Sequence, residues 1–232
     1  MKNILLIISS ILLSISANAQ VLNFNVSGMY KKSLPNASIH QAKSLSDINP
    51  GYPKSWLSES DYISTEMKII RKGESSIAKG KNENLSAHQI QILGNARIGD
   101  EVEITVQYYR ENAATKEREI RTMNYVMTVT PDVEAEYVGG FDSLREYIKS
   151  NAIDKIRDLN GKEVESAVVR FTVNENGHIV HIIMYESSSD ERVDAILQNA
   201  LNAMPHWRPA HTANGKKVQQ DFELRVGSLV GC

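Results

Sequence analysis

Residues Val168 to Ala210 read VVRFTVNENGHIVHIIMYESSSDERVDAILQNALNAMPHWRPA, and the succession of patterns within them decides the fold of the C-terminal half. With Ala167 ahead of them, Val169, Phe171 and Val173 fall on alternate positions and share one face of a strand. The Asn176-Gly177 dipeptide between that run and "HIVHIIMYE" is a short-range signal for a hairpin turn. Ser188-x-x-Glu191 then marks the start of a helix. Along it Val193, Ile196, Leu197, Ala200, Leu201 and Met204 form one apolar stripe, opposite Gln198, Asn199 and Asn202. Pro205 ends the helix, because it lacks an N–H and restricts Met204. Trp207, set between Pro205 and Pro209, is then free to fold back as an apolar lid. Gly177 thus marks the hairpin turn, and Pro205, Trp207 and Pro209 make the corner just past the helix end.

Outward from this stretch the pattern stays consistent. Ser143-x-x-Glu146 predicts a capping box for a helix over "SLREYIKSNAIDKI", with Leu144, Tyr147 and Ile148 inward. The closing run "VQQDFELRV" predicts a strand from Gln219 to Val226. Val218, Phe222, Leu224 and Val226 face the core, and Gln219, Asp221, Glu223 and Arg225 face out. The expectation is an α+β protein with a C-terminal αββαβ domain, a small three-stranded antiparallel sheet packed on two helices. A mostly-β domain with one short helix would precede it.

The residues "YVGGFDSLREYI", the hairpin with Asn-Gly, Ser-Ser before an Asp-containing amphipathic helix, and Pro-x-Trp-x-Pro-Ala together resemble the C-terminal domain of TonB proteins, over about residues 137–228. That resemblance implies that Trp207, Pro205 and Pro209 are architecture, shaping the core at the helix end, and that the last strand pairs with a short extended segment, the TonB box, of outer-membrane receptors. It makes Gln219, Gln220, Asp221, Glu223 and Arg225 partner-binding residues of an edge strand; the alternative is that they solubilise and guard that edge. The chain departs from the family in lacking the Tyr-Pro before the first hairpin strand. Its six prolines are never clustered, so it resembles the receptor-binding end of a TonB without a mechanical shaft.

In the N-terminal half, residues 20–60 are rich in Ser, Asn, Pro and Gly and are expected to form a loosely structured lead-in with one or two edge strands, with a turn at "NPGYP". "YISTEMKIIR" reads as a strand. Ser86-x-x-Gln89 caps a short helix through Ile90 and Leu93. "IGDEVEITVQYY" alternates as a half-buried strand, and "IRTMNYVMTV", after the charged turn "RENAATKERE", is expected to pair with it as an antiparallel hairpin. Residues 61–131, with a Lys72-Gly73 turn and "LSAHQIQILGNARIGDEVEI", resemble the small β-rich periplasmic domains of GldM, which implies a structural or protein-binding unit. Residues 132–140 are expected to be a linker and residues 141–232 the second domain.

The chain of 232 residues opens with Lys2, an apolar run from Ile4 to Ile15 and "SANA", the order of a cleavable signal peptide ending at Ala19. A periplasmic location is expected from it; an uncleaved anchor, making the protein an energy transducer, is the alternative. Cleavage would remove one of 26 basic residues and none of the 28 acidic ones, a balance that points away from nucleic acid. Cys232 is the sole cysteine, so no intramolecular disulfide is expected, and an intermolecular one would be its sharpest use.

Chemistry is sparse. Ser187 to Ser189, Asp190 and His181 could be drawn as a triad, but serines before an amphipathic helix are first-turn residues. His178 and His181 lie three apart on a strand and cannot share a metal; His206 and His211 lack a partner set. Gly139-Gly140 has no phosphate-loop context. The expected function is a non-enzymatic protein-binding module without cofactor or metal, accessory to outer-membrane TonB-dependent transport. The competing reading is a homo-oligomeric structural subunit of a cell-envelope assembly.

Overall fold

Leu22, Phe24 and Val26 alternate with Asn23, Asn25 and Ser27, and this short pattern becomes strand β1 (Asn23–Gly28). The computed structural model describes residues 22–53, 57–159 and 166–227, so the expected signal peptide and Cys232 lie outside the described residues. β1, like the short strand Ser33–Pro35, is one of the edge strands expected in the lead-in, but it is firmly seated. It pairs antiparallel with the last strand, β13 (Gln220–Gly227), from Asn23 opposite Gly227 to Gly28 opposite Phe222. Leu22, Phe24 and Val26 pack on the C-terminal core.

Four residues later the chain enters the other half. Strand β2 (Ser33–Pro35), helix α1 (Asn36–Gln41) and helix α2 (Leu45–Ile48) place Leu34, Ile39, Leu45 and Ile48 in the N-terminal core. Ser44 and Asp47 cap α2 reciprocally, satisfying amides that a short helix leaves open. Strand β3 (Tyr62–Arg71) follows the sequence pattern, and Lys72 and Gly73, both at positive φ, turn it into β4 (Glu74–Gly80). Ala78 is the one fully buried residue of this edge strand, so its sequence carries almost no alternation. Helix α3 (Ala87–Gly94) has the Ser86–Gln89 capping box, and β5 (Glu101–Glu111) pairs with β6 (Arg118–Thr130) as a long hairpin. The sheet order is β2-β6-β5-β3-β4, with β2 parallel to β6.

The expected linker is ordered. β7 (Glu136–Tyr137) leads into helix α4 (Gly140–Ile148), which begins earlier than Ser143. The Ser143 hydroxyl donates back to the Gly139 carbonyl instead of forming a capping box. A π-helical turn over Lys149–Ile153 joins α4 to α5 (Asp154–Arg157). The hairpin β8 (Ala167–Val173) and β9 (Ile179–Glu186) turns at Gly177, and helix α6 (Glu191–Asn202) buries Val193, Leu197, Ala200 and Leu201. Its N-cap is Asp190, not Ser188: the Asp190 carboxylate accepts from the Arg192 amide, and its hydrogen bond with the Arg192 guanidinium holds its carboxyl down at about 2. The second sheet runs β1-β13-β8-β9, four strands where three were expected. The whole is a mixed α+β protein, and no helix among the described residues is long and apolar enough to cross a membrane.

The Pro-His-Trp-Arg-Pro corner closes this core. Trp207 is buried against Tyr137, Phe171 and Phe222, with ring centroids 5.8, 6.0 and 5.0 Å away, and its indole N–H donates to the Met204 sulfur at 3.3 Å. Residues 207–208 form strand β10, paired with β7. The Trp207 amide donates to the Gly177 carbonyl at 2.8 Å, so the hairpin turn and the helix-ending corner are locked together. Gly177 has φ +81°, and a Cβ there would lie 2.0 Å from the Trp207 carbonyl oxygen. Gly177→Ala is expected to cost about 3 kcal/mol or more, and Trp207→Ala about 3–5 kcal/mol. Urea unfolding curves of the two variants check both.

Candidate partner-binding surface

The strand expected to offer a free edge is an inner strand. β13 is hydrogen-bonded to β8 on one side and to β1 on the other, so its backbone groups are already paired and no further strand can add there while β1 is in place. The five residues assigned to partner binding divide accordingly. Gln220 is buried: its side-chain oxygen accepts from the Ala135 amide at 2.7 Å, and its side-chain nitrogen donates to Glu134 at 3.2 Å. Asp221 accepts from the Thr172 hydroxyl at 2.6 Å. Glu223 accepts from Arg225 at 2.6 Å. Gln219 precedes the strand and is exposed.

The residues between the two sheets carry a connection that the sequence did not announce. Asp132 accepts from the Ala37 amide with one carboxylate oxygen and from the Ala213 amide with the other, both at 2.7 Å, so one side chain ties the two halves together. Val133 and His211 exchange backbone hydrogen bonds, adding a bridge to strand β11 (Ala210–His211), which itself pairs with β12 (Lys217–Val218). Glu134 accepts from the Tyr30 hydroxyl at 2.9 Å; burial, then this bond, raises the Tyr30 pKa.

The outer border of the C-terminal sheet, opposite β1, is β9, and no described strand pairs with its far side. Ile179, Ile182 and Met184 pack on the core, whereas Ile183 and Tyr185 point away from it and are 59% and 54% exposed. The Arg170 guanidinium from β8 lies 3.3 Å from the Tyr185 ring centroid, and its Nε is 3.8 Å from Glu223. That Nε is buried without a hydrogen bond. His181, at φ +53° where the β8–β9 register shifts, marks a bulge in the same strand.

The remaining sequence candidates are structural in this arrangement. The Ser187 and Ser188 hydroxyls both donate to Asp194 at 2.6 Å, joined by the Ser188 amide at 2.9 Å. Burial opposes ionisation of Asp194, but these hydrogen bonds outweigh it and hold the carboxyl below its ordinary value. The sequence also missed a contact between His178 and His206, whose ring centroids are 4.1 Å apart. Among the described residues no three His, Cys, Asp or Glu side chains form a group able to hold a metal. Comparison with the known protein families, the curated proteins and the solved structures finds no match for the chain.

Deleting residues 22–28 from the signal-free protein is expected to leave the β13 amides that face β1 fast-exchanging, with those facing β8 less affected; hydrogen exchange followed by NMR reads this strand by strand. Asp194→Asn is expected to cost about 1–3 kcal/mol at pH 7. A carboxyl with a lowered folded pKa stabilises above its unfolded value, near 3.9, and loses that contribution as pH falls through the folded value. The stability gap between wild type and Asp194→Asn should therefore close in acid.

Proposed function

We propose that the protein is an exported, non-enzymatic protein-binding module whose C-terminal half is related to the receptor-binding domain of TonB. It takes an extended segment of an outer-membrane receptor, or of another envelope protein, by strand addition. The observation that carries this reading is the border strand β9, unpaired on its outer side among the described residues, with Ile183 and Tyr185 held out to solvent. A strand edge supplies affinity through backbone hydrogen bonds, and outward apolar side chains select the partner. The succession α4–α5, β8, β9, α6, β13 also follows the order of elements that the resemblance implies. On that resemblance a partner strand would pair with β13, whose side is taken by β1, so partner capture is assigned to β9.

A second reading, a structural subunit of a cell-envelope assembly, is favoured by another apolar surface. Val138, just before α4, and Phe141, in its first turn, are 52% and 59% exposed, and apolar side chains left to solvent in one segment are what a subunit contact would cover.

Titration of isotope-labelled, signal-free protein with periplasmic-segment peptides of outer-membrane receptors tests the first reading. Amide shifts confined to Ile179–Glu186 are expected, saturating at micromolar to millimolar peptide. Ile183→Lys, which sets a charge on the edge, should weaken binding by about tenfold or more. Shifts elsewhere, or none, would remove the β9 assignment, and a concentration-dependent oligomer with the same amides protected would favour the assembly subunit.

A further inference from the structure

A cleft of about 700 Å³ opens between the two halves of the chain, away from the β9 edge. One wall is built by α1 and the loop after α3, the other by the turn between β11 and β12 together with Gln219; Asp132 lies between them. The bonds from Asp132 to Ala37 and Ala213, one on each wall, fix the distance across.

The charge on these walls is unsatisfied. Arg97 on one side and Lys216 and Lys217 on the other are exposed. Their side chains have no ion-pair or hydrogen-bond partner among the described residues. Elsewhere arginines are commonly engaged, Arg71 with Asp100, Arg118 with Asp61 and Arg208 with Glu136. Two carboxylates line the cleft: both oxygens of Asp132 are taken by amides, and Glu175 is exposed. Three fixed cations thus face two carboxylates in a chain whose formal net charge is −2. Gln41 and Gln219 add a side-chain amide to each wall, and each amide can both donate and accept.

We propose that this cleft is a separate binding site for an extended peptide segment carrying acidic side chains. Its carboxylates would be met by Arg97 on one wall and by Lys216 and Lys217 on the other. Its backbone N–H and C=O groups would be met by Gln41 and Gln219. The volume lies within the range of sites for chain-like ligands and far exceeds one inorganic anion. The cations come from different segments, Arg97 from the loop after α3 and Lys216 and Lys217 from the β11–β12 turn, an arrangement that suits several spaced carboxylates. Such an occupant would touch both halves at once.

The test uses signal-free protein, isotope-labelled, and three probes: an octapeptide of alternating Glu and Ser, the matching Lys and Ser peptide, and inorganic phosphate. The acidic peptide is expected to shift amides of residues 96–98 and 212–219 together, with an affinity that falls as salt rises. Combined Arg97→Gln, Lys216→Gln and Lys217→Gln should weaken it about tenfold or more, whereas Lys149→Gln with Lys155→Gln, on the exposed side of the α4–α5 segment, should leave it unchanged. No shifts at the cleft at millimolar peptide would overturn the proposal. So would equal loss in the control variant, which would mean unspecific charge attraction, or phosphate binding as tightly as the peptide, which would mean a point anion site. Because none of these residues lies on β9, the outcome is independent of the strand-addition test.

Discussion

Pairing of β1 with β13 is the constraint on which the rest of the molecule rests. It joins residues about 200 positions apart, a closure that costs about 5 kcal/mol in chain entropy. Apolar contacts of Leu22, Phe24 and Val26 with the C-terminal core and a run of ladder hydrogen bonds offset that cost. The next strand, β2, belongs to the other sheet. One short N-terminal segment therefore threads both halves, and neither can turn freely without breaking a strand pair.

The bonds between the halves follow from this threading. Once β1 and β2 are seated, Met29 donates to the Asp221 carbonyl and Tyr30 reaches Glu134, and Glu134 in turn accepts from Gln220. Asp132 adds a charged acceptor shared between α1 and the β11–β12 turn. Charge-assisted bonds to backbone amides are among the stronger ones in proteins, and here they sit where two sheets would otherwise be joined by a bare connection. The cleft beside Asp132 has fixed walls for the same reason.

Much of this was legible in the sequence wherever the determining interaction was local. Period-two alternation indicated β5, β8 and β13, strand composition indicated β3, a charged turn after β5 indicated β6, and the Ser86–Gln89 box marked the start of α3. Capping motifs misled where two acceptors competed: the Ser188 hydroxyl is drawn to Asp194, which leaves Asp190 to cap α6. β1 shows the alternation of a half-buried strand, but its partner lies at the far end of the chain, and no local pattern names a partner. Gln220, read as a partner-binding residue, is buried instead. Strict alternation from Val218 to Phe222 puts it on the inner side, and a buried glutamine is tolerable only when both ends of its amide are satisfied, as Ala135 and Glu134 satisfy them here.

Closing β13 shifts the question of binding to the other border of the same sheet. Proteins blunt exposed strand edges with bulges and charges, and β9 has both, the bulge at His181 and Glu186 at its end. Between them Ile182 to Tyr185 is left as a short edge whose register shifts again opposite Val168 and Val169, with Ile183 and Tyr185 turned outward. Arg170 lies against Tyr185 with a buried Nε that has no hydrogen-bond acceptor, so the surface beside that edge is neither fully polar nor fully satisfied. A partner strand laid along β9 would cover the exposed faces of Ile183 and Tyr185 and would lie beside the partly exposed Arg170 guanidinium. On the proposed function, these features would confine a partner to a segment of four or five residues with an apolar residue among them.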